Sequence, residues 1–403
     1  MTIACPDCGA LEDLPRLPPK STAVCIRCEG DLEKTAGRSV NAALACSLAT
    51  LVLLLPSNIL PLVSIDVLGM HAQSTIAAGI WRLLQRQWVL LGALSALFVI
   101  VLPFVRFGLL TAVLGSLRLG LRPGWLGVAF RWAVWLDLWA MLDVFLLAAG
   151  VGYYRLIHVS EAQITIEPGG ACFIAAAVLI MLSRASLDRR TVWRAIGGEL
   201  QAPSGDSMIG CTTCDLVQPT ENAGNRCPRC HARLRFRKPH AVMSTTALLI
   251  GALILLFPAN IYPMNVSSQL GNDIGYTILT GIEDLFDAGE WPLGVLVFCT
   301  SFLIPVLKIF AIAWCVLSVW RGSRAHLPAK TKTLRVVAEW GRWSKTDPFT
   351  IVFFVPLMNF GAFASATAGW GAVAFMMMTL LTMTASNTFD PRLMWDAAEA
   401  RAP

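Results

Sequence analysis

The sequence has few charged residues and carries none of the common nucleotide-binding or catalytic patterns. Only 14% of its 403 residues are charged, against about 25% in an average soluble domain. It has no Walker A pattern, no nucleotide-binding glycine fingerprint and no recognisable triad neighbourhood. These absences argue against an enzyme, an internal ATPase or any nucleotide-binding protein. The composition also argues against a nucleic-acid binder, whose basic charge would be its main feature.

Long apolar runs fill most of the chain. Apolar residues make up 56% of it, and its mean hydropathy is +0.62. Runs long enough to cross a hydrocarbon core of about 30 Å predict about eight spans, near 41–63, 88–117, 132–154, 170–187, 242–264, 292–320, 347–366 and 370–388. The first residues lack the regions of a cleavable signal, so we expect internal helices to direct insertion.

The distribution of Lys and Arg predicts the orientation. With both termini in the cytoplasm, the cytoplasmic segments carry 27 of the 32 basic residues and the opposite segments carry three. Cytoplasmic loops hold the excess of basic residues in membrane proteins. We therefore predict a multi-pass protein with cytoplasmic N- and C-termini. Residues 265–291, with no basic and five acidic residues, are predicted to face the periplasm together with 64–86.

The chain repeats itself. Residues 55–61 match 257–263 at an offset of 202, and Trp139-x3-Asp143 matches Trp343-x3-Asp347 after a two-residue slip. An even number of spans in each half gives both halves the same orientation. The sequence predicts an all-α polytopic membrane protein of two tandem parallel repeats, each with about four transmembrane helices after a small cytoplasmic zinc-ribbon domain. The predicted parts are a first head (1–38), a first module (39–195), a second head (205–238) and a second module (239–397).

Each head contains two Cys-x2-Cys pairs. Four thiolates arranged as two knuckles satisfy a tetrahedral Zn²⁺ ion and leave it no open position, so we predict two structural zinc sites without catalysis. Rubredoxin-type iron uses the same ligands and is the less favoured metal, and disulfides or a redox pair are disfavoured in a reducing compartment. The predicted ligands are Cys5, Cys8, Cys25, Cys28, Cys211, Cys214, Cys227 and Cys230.

A Pro-x-Asn-Ile-x-Pro element lies at the predicted outer end of the first span in each half. Because proline removes a backbone donor, each span is expected to break or end there. The element is either simple helix-ending chemistry or part of a substrate entrance or exit, since unwound backbone in a membrane must be shielded or line a wet cavity. Its residues are Pro56, Asn58, Pro61, Pro258, Asn260 and Pro263.

Ionisable residues inside spans are costly and indicate function. In the second half, three predicted helices bring a lysine, a carboxylate and hydroxyls to a similar depth. This cluster is either an ion pair that locks two helices or a transport or gating site. Its predicted members are Lys308, Asp347, Thr382, Thr384 and Ser386, and a poorer, secondary cluster in the first half contains Arg106 and Asp143.

The two Cys-x2-Cys heads, the duplicated Pro-x-Asn-Ile-x-Pro element and the Trp-x3-Asp-x-Phe signature together resemble the paraquat-inducible protein A family, including its LetA branch, over nearly the whole chain. The resemblance implies an inner-membrane protein of a Gram-negative bacterium. It also implies a periplasm-spanning MCE-domain partner and a role in moving membrane lipids between membranes and in envelope integrity. Two rival functions are a membrane redox protein that uses the heads and a structural anchor for a partner complex.

Overall fold

A computed structural model describes residues 2–14, 18, 21–34, 39–67, 70–159, 163–197, 208–269, 272–340 and 364–400 of the chain. The described part is mostly helical. The first head consists of two antiparallel hairpins, β1 (Thr2–Ala4) with β2 (Leu11–Asp13) and β3 (Thr22–Val24) with β4 (Asp31–Lys34).

The first module begins with a long helix, an antiparallel hairpin and a second helix: α1 (Val40–Ile59), β5 (Val63–Val67), β6 (Met70–Ser74) and α2 (Ile76–Gln85). A continuous helical segment follows, formed by α3 (Val89–Ser95), a π-helical stretch (Ala96–Val101) and α4 (Leu102–Arg118). The module ends with α5 (Leu126–Leu136), α6 (Leu142–Val159), β7 (Gln163–Ile166), α7 (Pro168–Ser186) and α8 (Arg189–Gly197).

The second half follows a similar order. Its head contains β8 (Met208–Gly210) and β9 (Val217–Pro219), and its module begins with α9 (Ala241–Ile261), β10 (Asn265–Gln269), β11 (Asn272–Tyr276) and α10 (Ile278–Asp287). A second continuous segment contains α11 (Trp291–Val297), a π-helical stretch (Phe298–Leu303) and α12 (Ile304–Arg321). The remaining elements are α13 (Leu327–Trp340), β12 (Ala364–Ala368), α14 (Trp370–Thr388) and α15 (Arg392–Glu399).

Five helical segments of the described chain are long and apolar enough to cross a membrane: Val40–Ile59, Val89–Arg118, Pro168–Ser186, Ala241–Ile261 and Trp291–Arg321. The pair α14 and α15, bent by 51°, is a sixth candidate. The span predicted at 132–154 is interrupted, because α5 ends at Leu136 and α6 begins at Leu142. Most of the span predicted at 347–366 lies outside the described residues.

Each module contains one small antiparallel sheet of three strands, which the all-α prediction omitted. Their strand orders are β6-β5-β7 and β11-β10-β12. In the first sheet Val63 pairs with Ile166, and in the second Asn265 pairs with Ala368. These strands are five residues long or shorter, and the third strand of each sheet, β7 or β12, pairs with a strand about a hundred residues away. Local periodicity therefore gave little sign of them.

Close packing joins the first helix of each module to the last long one. Helix α1 packs along α7, and α9 packs along α14. At the ends of these pairs, a Cβ on Gly169 would lie 2.5 Å from the carbonyl oxygens of Leu60 and Pro61. In the second module, a Cβ on Gly371 would lie 2.3 Å from the carbonyl oxygen of Tyr262. Glycine is required at both positions because only it permits this approach of the two backbones.

Candidate functional site

The eight cysteines of the heads form two buried clusters. In each cluster the four sulfur atoms all lie within 4.8 Å of one another. The sulfurs of Cys5 and Cys28 are 3.5 Å apart, and those of Cys8 and Cys25 are 3.6 Å apart. A tetrahedral ion with metal–sulfur bonds of about 2.3 Å holds its sulfurs about 3.8 Å apart, whereas a disulfide needs about 2.05 Å. The donor set therefore fits a tetrahedral metal ion, and all twelve cysteines of the chain are free.

The knuckles have a shared backbone form. The residue after the second cysteine of every pair has a positive φ, between 55° and 78°. In the first knuckle, the amide of Cys5 donates to the carbonyl of Ala10 over 2.8 Å, and Gly9 donates back to Cys5 over 3.0 Å. This turn brings the two thiols of a pair to one side. The four positive-φ residues are Gly9, Glu29, Asp215 and His231.

Each four-cysteine cluster is contacted by an arginine from the module of the other half. Arg335 on α13 of the second module bonds Asp7 of the first head at 2.7 Å and donates to the sulfur of Cys28 at 3.2 Å. At the related position of the first module, Arg131 on α5 donates to the carbonyl of Cys230 at 3.1 Å. Arg335 and Arg131, which occupy related positions in the two modules, thus each contact the last cysteine in the head of the other half.

Each head also contacts the module that follows it in the chain. Arg194 of the first module donates to Glu33 of the first head at 2.8 Å. Arg237 of the second head forms an ion pair with Asp396 on α15 of the second module. Each head therefore bridges both modules.

A charged side chain anchors the junction between the second head and α14. The amide of Lys238 donates to Asp390 at 3.1 Å, and the guanidinium of Arg392 donates to the same carboxylate at 2.8 and 2.9 Å. Burial raises the pKa of the Asp390 carboxyl, but the hydrogen bonds and charge of Arg392 outweigh burial and hold this pKa below its usual value. Asp390 is therefore ionised at neutral pH and links the end of the second head to the segment between α14 and α15.

Lys308 lies deep within the second module. It is on α12, five residues after a π-helical stretch, and only 3% of it is exposed. Within the described residues it makes no ion pair. Helix α12 packs against α14, which carries the predicted hydroxyl groups. Asp347, the predicted carboxylate of this cluster, lies outside the described residues.

The hydroxyl groups on α14 differ in burial. Thr382 is 2% exposed and donates to the carbonyl of Thr379 at 2.9 Å, and Thr379 itself is also buried. Ser386 follows Thr382 by four residues and lies on the same helix face, whereas Thr384 is rotated by about 200° from Thr382. Thr384 and Ser386 are half-buried and bond to carbonyls of their own helix. Thr382 is thus the most buried of the three predicted hydroxyls.

The polar cluster of the first module is a network of ion pairs. Arg106 lies 2.7 Å from Asp137, while Asp143 pairs with Arg184. Arg184 also bonds Asp137 at 2.7 Å, and Arg189 approaches the same carboxylate at 3.0 Å. Asp137, which lies between α5 and α6, therefore forms ion pairs with three guanidinium groups. Arg106 and Asp143, the residues of the predicted secondary cluster, both lie in this network, where Arg106 pairs with Asp137 and Asp143 pairs with Arg184.

Sequence reasoning missed Asp137 and Arg184, two members of this network. Asp137 was hidden within the apolar run 132–154, where an acidic residue was itself a signal. Arg184 lies in the last turn of α7, near the end of the span predicted at 170–187, and was not named as a member of the secondary cluster. The related positions in the second half are Gly341 and Ser386. The second half thus lacks counterparts of Asp137 and Arg184, but it has Asp347 at the position related to Asp143 and the buried Lys308 at the position related to Arg106.

The Pro-x-Asn-Ile-x-Pro elements cap the first helix of each module. Helix α1 continues through Pro56 and ends at Ile59, and α9 continues through Pro258 and ends at Ile261. The amide nitrogen of Asn58 donates to the carbonyl of Leu54 at 2.7 Å, and that of Asn260 donates to Leu256 at 2.8 Å. The oxygen of each side-chain amide, Oδ1, is buried and has no hydrogen-bond partner among the described residues. Pro61 and Pro263 follow outside the helices.

An apolar cavity lies in the first module, between α6, α7 and the strands β5 and β7. Its volume is about 140 Å³, and its walls include Phe145, Phe173 and Gly170. Its lining side chains are apolar except for Tyr153, which carries a hydroxyl group. This cavity has space for a short stretch of hydrocarbon.

Comparisons with known proteins place the chain among bacterial membrane transport proteins. The family model described as "Paraquat-inducible protein A" matches residues 40–197 and 242–399. The chain is 30% identical to "Intermembrane transport protein PqiA" of Escherichia coli (strain K12), with 98% of this chain and 95% of that protein covered. It is 29% identical to "Lipophilic envelope-spanning tunnel protein A" of the same strain, with 98% and 91% covered. No solved structure matches. The chain belongs to the paraquat-inducible protein A family.

Proposed function

We propose that this protein is the inner-membrane subunit of an intermembrane phospholipid transport system. It passes lipid to or from a periplasm-spanning MCE-domain partner and supports envelope integrity. The relatives are named as intermembrane transport and lipophilic tunnel proteins. The structural observation that carries the proposal is the buried Lys308, which has no ion pair among the described residues of the second module.

A lysine inside a membrane span is expensive unless it is paired, hydrated or used. The first module holds its buried arginines with Asp137 and Asp143, which is how a structural ion cluster is built. The second module lacks most of that network, so Lys308 is available to a phosphate headgroup, together with Asp347 and Thr382. In this proposal the first cluster locks the helices and the second handles substrate.

The proposed topology is two tandem parallel repeats with the heads and both termini in the cytoplasm and the two sheets in the periplasm. The acidic segment around β10, β11 and α10 then becomes the surface for the periplasmic partner. A cysteine introduced at Asn272 is expected to react with an impermeant thiol reagent in intact spheroplasts, because this hairpin then faces the periplasm. A cysteine at Arg235 in the second head is the matched control, expected to react only after lysis. The reverse pattern contradicts the topology.

We also propose that both heads hold structural zinc. Eight buried thiols in two clusters have the separation of tetrahedral ligands, and four sulfur ligands leave no open coordination position. Elemental analysis of the purified chain is expected to give about two zinc ions. Cys5→Ser with Cys8→Ser is expected to remove one of them and to weaken proteolytic resistance of the first head. Substantial iron, or neither metal, contradicts this proposal.

Purification from native membranes tests the function as a whole. The full chain, extracted in mild detergent, is analysed by mass spectrometry for its co-eluting proteins and lipids. We expect phospholipid and a protein with an MCE domain. A redox enzyme or thiol carrier in place of both would support a membrane redox protein, and a partner complex without lipid would support a structural anchor. Lys308→Met is the informative variant, since it should keep the partner and lose lipid.

A further inference from the structure

An open pocket lies between the second head and α5 of the first module. Its volume is about 620 Å³. Six residues line it, four of which have basic side chains: Val128, Arg131, Arg226, His231, Ala232 and Arg233. No acidic residue contributes to its lining. The pocket is separate from Lys308 and from the sulfur atoms of the metal cluster.

Its cations are held close to one another without carboxylates. Arg226 and Arg233 are directly paired across an isolated antiparallel bridge, a position in which like charges are destabilising. Within the described residues neither of them makes an ion pair. Arg131 lies on the opposite wall, on α5, where it donates a hydrogen bond to the carbonyl of Cys230 in the head. An anion placed between the three arginines relieves their repulsion.

The metal-binding fold of the head does not require this charge. At an offset of 202, the residues of the first head that match Arg226, His231 and Arg233 are Val24, Glu29 and Asp31. The two heads have similar cysteine clusters, but where the second head has Arg226, His231 and Arg233 the first has one neutral and two acidic residues. The basic pocket is therefore a property of the second head alone.

The pocket lies beside a surface suited to the lipid headgroup region. Helix α5 has only 11 residues, too few to cross a membrane. Trp132 and Trp135 on this helix, and Trp125 just before it, are about half exposed. Tryptophan is enriched where membrane meets water. Val128 and Arg131, one turn apart on α5, thus open the pocket towards the headgroups of the leaflet on the side of the heads.

We propose that this pocket binds the phosphate group of an anionic membrane phospholipid. Arginine is well suited to this ligand, because its planar guanidinium can bond two phosphate oxygens at once. The inference goes beyond the proposed transport function, since it requires only binding and is independent of any movement of lipid through the second module. Free phosphate shares this chemistry, and the experiment separates the two sources.

The test uses the zinc-loaded full chain in a neutral detergent, titrated calorimetrically with dioctanoyl phosphatidylglycerol. Salt at about 0.15 M limits attraction by distant charges to about 8 Å. The variants are Arg233→Glu, in the pocket, and Arg235→Glu, two residues away on an exposed part of the same head. We expect Arg233→Glu to weaken binding by about tenfold or more, because a charge-assisted contact is lost, and Arg235→Glu to leave it within about twofold. Zinc content verifies that both variants are folded.

Three results would overturn the proposal. The first is equal binding of dioctanoyl phosphatidylcholine, which carries no net charge. The second is equal weakening by Arg235→Glu, which would show that only the overall charge of the head matters. The third is glycerol phosphate or inorganic phosphate that binds as tightly as the lipid and competes with it, which would make the pocket a site for soluble anions.

Discussion

Replacing Lys308 by methionine is expected to abolish envelope protection while leaving the protein abundant and folded. Methionine fills a similar volume and removes only the charge, and Lys308 has no ion pair among the described residues whose loss would strand a buried carboxylate there. The measurement is the plating efficiency of a deletion strain that carries the variant, on a membrane-disrupting detergent. We expect plating efficiency to fall by about tenfold or more, because the loss of one charged contact weakens binding of a headgroup by about this factor.

Arg106→Met is the matched control for this result. Arg106 is the related residue of the first module, but it is engaged with Asp137 at 2.7 Å. The control is expected to lower the melting temperature and to retain envelope protection at the level that its abundance allows. Thr382→Val should give a partial version of the Lys308 defect, because it removes a hydroxyl and nearly preserves shape. If the Lys308→Met and Thr382→Val proteins are stable and give full envelope protection, this cluster is not the site that handles lipid.

Asp137→Ala is expected to cause the largest loss of stability in the first module. The change leaves Arg106 in a buried position without its only ion-pair partner among the described residues. Arg184 keeps Asp143, but the carboxylate that joins three arginines is gone. Breaking a buried pair in this way costs about 3–5 kcal/mol. The measurement is thermal unfolding of the purified variant in detergent, followed by loss of monodisperse protein.

Glu399→Ala serves as the control for Asp137→Ala. It also removes the carboxylate of an arginine pair, but the side chain of Glu399 is 65% exposed and that of its partner Arg27 is 35% exposed. An exposed pair contributes at most about 1 kcal/mol, so its melting temperature should stay close to that of the wild type. Equal and small effects of the two substitutions would show that the Asp137 network is not a structural lock.

Local spacing was sufficient to predict the two four-cysteine clusters. The Cys-x2-Cys pairs each form a knuckle by themselves, so the ligand set followed from residues three apart. Long apolar runs likewise predicted the helices that are long enough to span a membrane, because length alone decides that property. The burial of Lys308 followed from its position inside such a run.

The features that sequence reasoning missed depend on contacts between distant residues. Arg335 of the second module contacts Asp7 of the first head, and β5 pairs with β7, the third strand of its sheet. Neither pairing leaves a periodic pattern in the chain. The position of Asp137 was misjudged for another reason: an apolar run of suitable length obscured a break in the helix. Hydropathy is averaged over a window of residues, so it does not show a short break such as the one between α5 and α6.

The most direct test of the central claim, that the second module handles lipid at Lys308, is photo-crosslinking with a phosphatidylethanolamine that carries a photoreactive group near its phosphate. The lipid is activated in native membranes that contain the full chain, and the labelled peptides are mapped by mass spectrometry. The account predicts labelling of α12 and α14 near Lys308 and Thr382, lost in Lys308→Met and retained in Arg106→Met. Labelling confined to lipid-exposed helix faces, or unchanged by Lys308→Met, would contradict it.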